Sequence, residues 1–203
     1  MLVNSRKILL EARKRGFAVP ATNFIDLDSA RAYIKVAEQR GLPLILSFAQ
    51  AHKNLISLEE AALIGRYFAE KSTIPVVLHL DHGENKEFIF KAIDLGFKSV
   101  MIDASSETFE DNIKISKEIA EYAHSKDITV EAELGHVGAG ENYENHDMVD
   151  SAYTEVDDVI EFVEKTKIDS LAISIGTAHG TYVGTPKLNF TRLKEIAAIS
   201  NVP

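Results

Sequence analysis

His79, Asp81 and His82 fall within four positions at the end of the apolar run Pro75-Val76-Val77-Leu78. Imidazoles are metal ligands, and a carboxylate beside them can ligate or carry a proton. His-x-Asp-His is therefore either half of a metal site or an ordinary polar strand end. Strand alternation puts Val77, His79 and Asp81 on one face and Leu78, Leu80 and His82 on the other. Gly83 leaves His82 free to turn toward the face of Asp81. Two distant features favour the metal reading. In "TVEAELG", 129–135, Glu131 and Glu133 share a face of a strand built to be buried. Two carboxylates there need a cation or hydrogen-bond donors to offset their desolvation. In "SIGTAHGTYVG", 174–184, His179 lies between Gly176 and Gly180. A ring so framed can approach a ligand closely, and the surrounding backbone amides can cradle a phosphate. His82 and His179 make two nitrogen ligands, and an open catalytic zinc site commonly takes three from the protein. Of the other histidines, His124 falls in a helical pattern and His52 follows the second strand, within reach of the same end. His136 and His146 lie in a long loop and read as solvated.

The elements that must position these residues are short apolar runs alternating with amphipathic stretches. Strands are predicted at 18–23, 44–48, 76–81, 99–103, 129–134 and 170–175. Helices are predicted at 27–40, 57–71, 86–95, 108–125, 156–165 and 190–200. Six β/α units with no hairpin signal imply a parallel sheet. A doubly wound sheet would carry a glycine-rich turn after its first strand, and "NFIDLDSA" has no glycine. A (β/α)8 TIM barrel instead puts polar residues at the C-terminal ends of several strands, as Asn23, Asp81, Asp103, Glu133 and the segment Gly176-Thr177-Ala178-His179 do. The expectation is one α/β domain over 1–203, with about six of the eight β/α units of such a barrel. A full barrel takes about 250 residues, and "ISNVP" resembles the entries "RGLP" and "STIP", so a truncated chain is expected. The alternative, a complete six-unit open sheet, leaves two unpaired edges. The long connection between Gly135 and Tyr153 has the length of a binding loop, with glycines at 135, 138 and 140 to let it move.

Composition narrows the partners. A net charge of −9 argues against nucleic acid and anionic membrane surfaces, though not against a small anionic substrate. No segment approaches a membrane span, the charged N-terminus is not a signal peptide, and the absence of cysteine removes disulfides and thiolate metal sites. A cytoplasmic protein is expected.

Together "PVVLHLDHG", "SVMIDAS", "VEAELG" and "GTAHGTY" resemble the successive signatures of the class II, zinc-dependent ketose-bisphosphate aldolases, from Gly16 to the last residue. The resemblance implies a TIM barrel with Zn2+ at its C-terminal face, alongside which a monovalent cation, Na+ or K+, is a further candidate. It implies His82 and His179 as zinc ligands, a third histidine on a seventh strand beyond Pro203, and Glu133 and Asp103 as acidic residues at the metal. Asp81 matches the acid/base at the hydroxyl or aldehyde oxygen, and Glu141 the carboxylate that deprotonates the donor ketone. Asn23 and Gly180 fall at substrate-binding positions, and His79 supports the site from below. The implied reaction is reversible aldol cleavage of a fructose or tagatose 1,6-bisphosphate to dihydroxyacetone phosphate and an aldehyde, by a homodimer or homotetramer. No lysine Schiff base is needed.

Three departures limit the resemblance, the third of them touching the long loop more than the reaction. Ala49 replaces a common serine, Val183 replaces a common lysine, and Asn142 replaces a common aspartate. Loss of the lysine removes a phosphate-side cation, so another phosphorylated sugar is an open alternative. Rival readings are an inactive fragment or cation-binding protein, and a metal-dependent hydrolase. The hydrolase wants a His-x-His pair on the first strand, where this chain has Ala21-Thr22-Asn23. The 203-residue chain by itself is expected to be inactive or nearly so.

Overall fold

The structure is a computed structural model and describes residues 1–139, 153–182 and 185–203. It opens with a helix, α1 (Arg6–Arg15), followed by β1 (Ala21–Asn23), α2 (Leu27–Arg40), β2 (Leu44–Ala49), a 3-10 helix at Gln50–Asn54 and α3 (Leu58–Lys71). Next come β3 (Val76–Gly83), α4 (Lys86–Asp94), β4 (Ser99–Ile102), α5 (Phe109–His124), β5 (Thr129–Leu134) and β6 (Gly138–Ala139). The chain continues through α6 (Asp158–Thr166), β7 (Ser170–Ile173), β8 (Ala178–His179) and α7 (Phe190–Ile199). Six parallel strands lie in the order β1-β2-β3-β4-β5-β7, and β6 pairs with β8. A doubly wound sheet reverses its order at a switch point, whereas this order is sequential, as in a partial (β/α)8 barrel. No helix among the described residues is long and apolar enough to cross a membrane.

The chain divides into two compact units, Met1–Ile102 with Ile119–Glu131, and Asp103–Glu118 with Ala132–Pro203. In the first, every residue of β2 is buried, as are Val76 to Leu80 of β3. This is the signature of strands covered on both faces, which is why they read as unbroken apolar runs. Phe24, Phe48, Leu46, Leu78 and Leu80 are fully buried there, and each such side chain contributes roughly 1.5–3 kcal/mol on leaving water. The helices start where side chains satisfy their first amides. Asp26 and Ser29 form a capping box on α2, Ser57 and Glu60 one on α3, and Asn85 caps α4 through the Phe88 N–H.

The sequence expectation and the structure differ most at the N-terminal end of this unit. The strand predicted from residue 18 begins at Ala21, because Pro20 has no N–H to give the ladder and contributes only its carbonyl, to Ile45. Helix α1 is not among the helix ranges predicted, although Gly16 reads as a helix end and does take φ 70° as its C-cap. Its buried residues are only Ile8 and Ala12, a narrow stripe that its five basic residues hide. Ahead of it, Leu2 bridges to Val76 and the Ser5 hydroxyl donates to Thr129 Oγ1 at 2.7 Å, so residues 1–5 tie the entry of β3 to that of β5.

In the second unit, the fully buried Thr154 joins two strand ends. Its hydroxyl donates to the Leu134 carbonyl, its Oγ1 accepts the Ser174 N–H at 2.8 Å, and its own N–H donates to the Ser174 carbonyl. Arg192 on α7 donates to the Thr154 carbonyl at 2.5 Å and its guanidinium lies 5.3 Å from the Tyr153 ring centroid. Phe109 and Phe162 pack α5 on α6 with ring centroids 6.2 Å apart. The β6–β8 pair, two residues a strand, was also not expected.

Candidate metal and proton-transfer site

The β3–β4 ladder pairs His79 with Ser99 and Leu80 with Val100, then jumps to Gly83 with Ile102. Asp81 and His82 thus oppose the single residue Met101, which makes a β-bulge. His82 takes φ 47°, a left-handed conformation uncommon for a side chain with a Cβ. Regular alternation would send Asp81 and His82 to opposite faces. The bulge cancels it, and His82 Nε2 comes to 4.0 Å from Asp81 Oδ1. Gly83 is what lets the strand resume: a Cβ there would lie 2.5 Å from Ile89 Cγ1 and 2.6 Å from the Met101 carbonyl oxygen. Asn23, at the end of β1, donates its Nδ2 to Asp81 Oδ2 at 2.7 Å, which orients the carboxylate and leaves Oδ1 on the side of His82. Below this layer His79 is buried at 5% exposure, with Nδ1 2.9 Å from Ser99 Oγ and Nε2 3.9 Å from Glu131 Oε2. It props the wall beneath Asp81 and does not belong with His82.

The second unit holds a pair of carboxylates. Asp103 and Glu133 each bring an oxygen to within 4.8 Å of the other. Asp103 Oδ1 accepts from both the N–H (3.1 Å) and the hydroxyl (2.7 Å) of Ser105. Glu133, only 2% exposed, accepts the Val137 N–H at 2.8 Å, while Asn112 on α5 holds its backbone carbonyl at 2.9 Å. His136, read from sequence as solvated, is instead half-buried: its Nδ1 lies 2.8 Å from Ser105 Oγ and 4.0 Å from Glu133 Oε1. The one hydroxyl proton of Ser105 goes to Asp103, so His136 carries its proton on Nδ1 and donates to Ser105.

His179 occupies β8, where it pairs with Ala139 of β6. The loop around it is shaped by left-handed glycines at 176 and 180 and by the Tyr182 hydroxyl, which accepts the Ala178 N–H at 3.0 Å. Glu141, His146, Asn142 and Val183 lie outside the described residues. Among the remaining histidines, His52 falls in the 3-10 helix and His124 ends α5. The structure thus joins Asn23, Asp81 and His82 in one unit and Asp103 and Glu133 in the other. Ser105, whose hydroxyl and N–H hold Asp103, was missed, and its one sequence signal was polarity just past a strand end.

Sequential parallel β/α units with a carboxylate and an imidazole at one strand end, and paired acids in the second unit, are those of a partial (β/α)8 barrel with ionisable groups at the C-terminal ends of its strands. The chain belongs to the class-II fructose-bisphosphate aldolase family, whose family model matches residues 3–203, and its activity class is accordingly that of an aldolase. Among solved structures it is similar to the YdjI aldolase from Escherichia coli K12, at 35% identity and TM-score 0.89, over 100% of this chain and 71% of that one. A putative fructose-1,6-bisphosphate aldolase from Coccidioides immitis matches at 28% identity and TM-score 0.86, over 95% and 68% of the two chains. The fructose-bisphosphate aldolase from Campylobacter jejuni, at 24% identity and TM-score 0.76 over 96% and 64%, shares the fold.

Proposed function

We propose that this chain carries the metal-binding and proton-transfer residues of a zinc-dependent aldolase that cleaves a phosphorylated ketose to dihydroxyacetone phosphate and an aldehyde. The observation that carries the reading is the bulge that sets Asp81 and His82 side by side, since a carboxylate beside an imidazole is the arrangement that a proton carrier next to a metal ligand requires. The donor set fits a divalent ion. His82 and His179 offer nitrogens, and a buried Glu133 within 4.8 Å of the Asp103 carboxylate is a placement that a cation stabilises. Class-II family membership supports zinc as that ion. When bound, it supplies Lewis acidity that polarises a ketone carbonyl and acidifies the adjacent carbon.

The protein's own residues do the rest. Glu141 takes the proton from that carbon. Asp81, oriented by Asn23, takes the hydroxyl proton in cleavage and returns it to the aldehyde oxygen in synthesis. Ser105 and Val137 hold the two acids in place through hydrogen bonds, as residues behind metal ligands do. The substrate is of the fructose or tagatose 1,6-bisphosphate type. Val183, where lysine is common, and Ala49, where serine is common, are the sequence features that favour a different sugar.

Calorimetric titration with zinc tests the reading. One-to-one binding lost in His82→Ala and in His179→Ala is expected, and unchanged affinity in both variants overturns it. Zinc-dependent exchange of deuterium into dihydroxyacetone phosphate tests the donor half of the reaction separately.

A further inference from the structure

Gln50 is only 1% exposed although its side chain ends in a polar carboxamide. It follows directly on the last rung of the β2–β3 ladder, Ala49 with Asp81, and opens the 3-10 helix Gln50–Asn54. Its carboxamide makes a reciprocal pair with one residue. Oε1 accepts the Glu84 N–H at 2.9 Å, and Nε2 donates to Glu84 Oε2 at 3.2 Å. The side chain acts as a surrogate peptide group. It carries the cross-strand hydrogen bonding past the point where the backbones stop pairing.

The segment it grips is the bulge. Residues 81–84 are fixed at four places: Asp81 by the ladder and by Asn23, His82 in its left-handed conformation, Gly83 in a slot with no room for a Cβ, and Glu84 by Gln50. A non-glycine residue keeps positive φ only when its neighbours over-determine it. The Glu84 clasp is a hydrogen-bonded restraint on the C-terminal side of His82, as Asn23 on Asp81 is on the N-terminal side. We propose that Gln50 is a positioning residue that holds the His82 imidazole in its ligating orientation, by clasping Glu84 two residues beyond it. This rests on the reading of His82 as a metal ligand.

A merely structural role predicts something different. Glu84 is an exposed residue, so water can satisfy its N–H and carboxylate once Gln50 is gone, and leucine fills the volume of the lost side chain. Global stability should therefore change little while metal affinity falls.

The experiment is zinc titration of the chain and three variants, with thermal unfolding and amide exchange at Glu84 measured without metal. Gln50→Leu should weaken zinc binding about ten-fold or more, the usual effect of removing a residue that orients a ligand. Gln50→Glu keeps the shape but sets carboxylate against carboxylate, and it should weaken binding similarly. The double change Gln50→Glu with Glu84→Gln exchanges the partners and should restore affinity to within about two-fold of the original. If Gln50→Leu does not fold, the exchanged pair decides alone. Zinc affinity unchanged in the single variants, or a double variant as weak as Gln50→Glu, overturns the proposal. The metal-free exchange separates two failures. Lost protection at Glu84 with unchanged zinc affinity sinks the positioning role and leaves the metal reading standing. Absence of any His82-dependent zinc binding sinks both.

Discussion

His82 Nε2 stands 4.0 Å from Asp81 Oδ1, although consecutive residues of a strand should face opposite ways. A ligand and a proton carrier on adjacent positions are the shortest way to bring a reacting oxygen between a metal and a base. The single extra residue in β3 would serve the proposed roles of Asp81 and His82 without a loop, because both groups stand on a strand rather than a connection.

The two residues should separate cleanly by mutation. Asp81→Asn keeps the hydrogen-bonding shape beside Asn23 but cannot accept a proton. In any form of the protein that shows the activity it should lower aldol cleavage about 10²–10⁴-fold, while zinc affinity, read by calorimetry on this chain, stays as it was.

Metal removal should be visible in stability. A ligand at about 100 times its dissociation constant adds about 2.7 kcal/mol to the folded state. Saturating zinc is expected to raise the thermal midpoint, chelator to reverse it, and His82→Ala to abolish the response, followed by calorimetric melting.

Gly83→Ala should disrupt the bulge outright. Its new methyl meets Ile89 and the Met101 carbonyl oxygen at 2.5 and 2.6 Å, and a backbone oxygen cannot rotate away. A loss of about 1–3 kcal/mol in urea unfolding is expected, together with weakened zinc binding.

Thr154→Val removes a buried hydroxyl while keeping its volume, and leaves the Leu134 carbonyl and the Ser174 N–H without that partner. Each loss costs about 1–3 kcal/mol. Thr154→Ser keeps the oxygen and should retain most of the stability, so comparing the two variants isolates the hydrogen bonds from the packing.

Acid should act through Glu38. The Thr73 N–H, then the Ser72 hydroxyl, hold its carboxyl below the ordinary carboxylate value. Because the folded value lies below the unfolded one, the stabilisation is fully present above the unfolded value and is lost as pH falls through the folded one. The urea midpoint should therefore drop as pH is taken below about 4, and Glu38→Gln should show a smaller drop over the same range.

Much of this was legible in the sequence. Periodicity located β2, β3, β5 and the helices from α2 to α7, because buried parallel strands and amphipathic helices impose strong patterns. Asp81, His82, Asp103 and Glu133 stood out because ionisable residues at the ends of apolar strands are costly without a purpose. The bulge did not stand out, since period-2 reading assumes the regularity that a bulge breaks. Gln50 with Glu84 and Ser105 with His136 are 34 and 31 positions apart, and no local pattern connects them. Helix α1 was hidden by its charges, and β6 and β8 are too short to carry a period.

The stitches that Thr154 makes to Leu134 and Ser174, with the rungs from Gly138 to Ala178 and Ala139 to His179, anchor both ends of the intervening stretch to the same β7 exit. Chain length between 139 and 153 is thereby decoupled from the position of His179. Doubling such a stretch costs only about 0.6 kcal/mol of closure entropy. A change in the number of residues there therefore leaves the stem of β6, β8 and Thr154 in place.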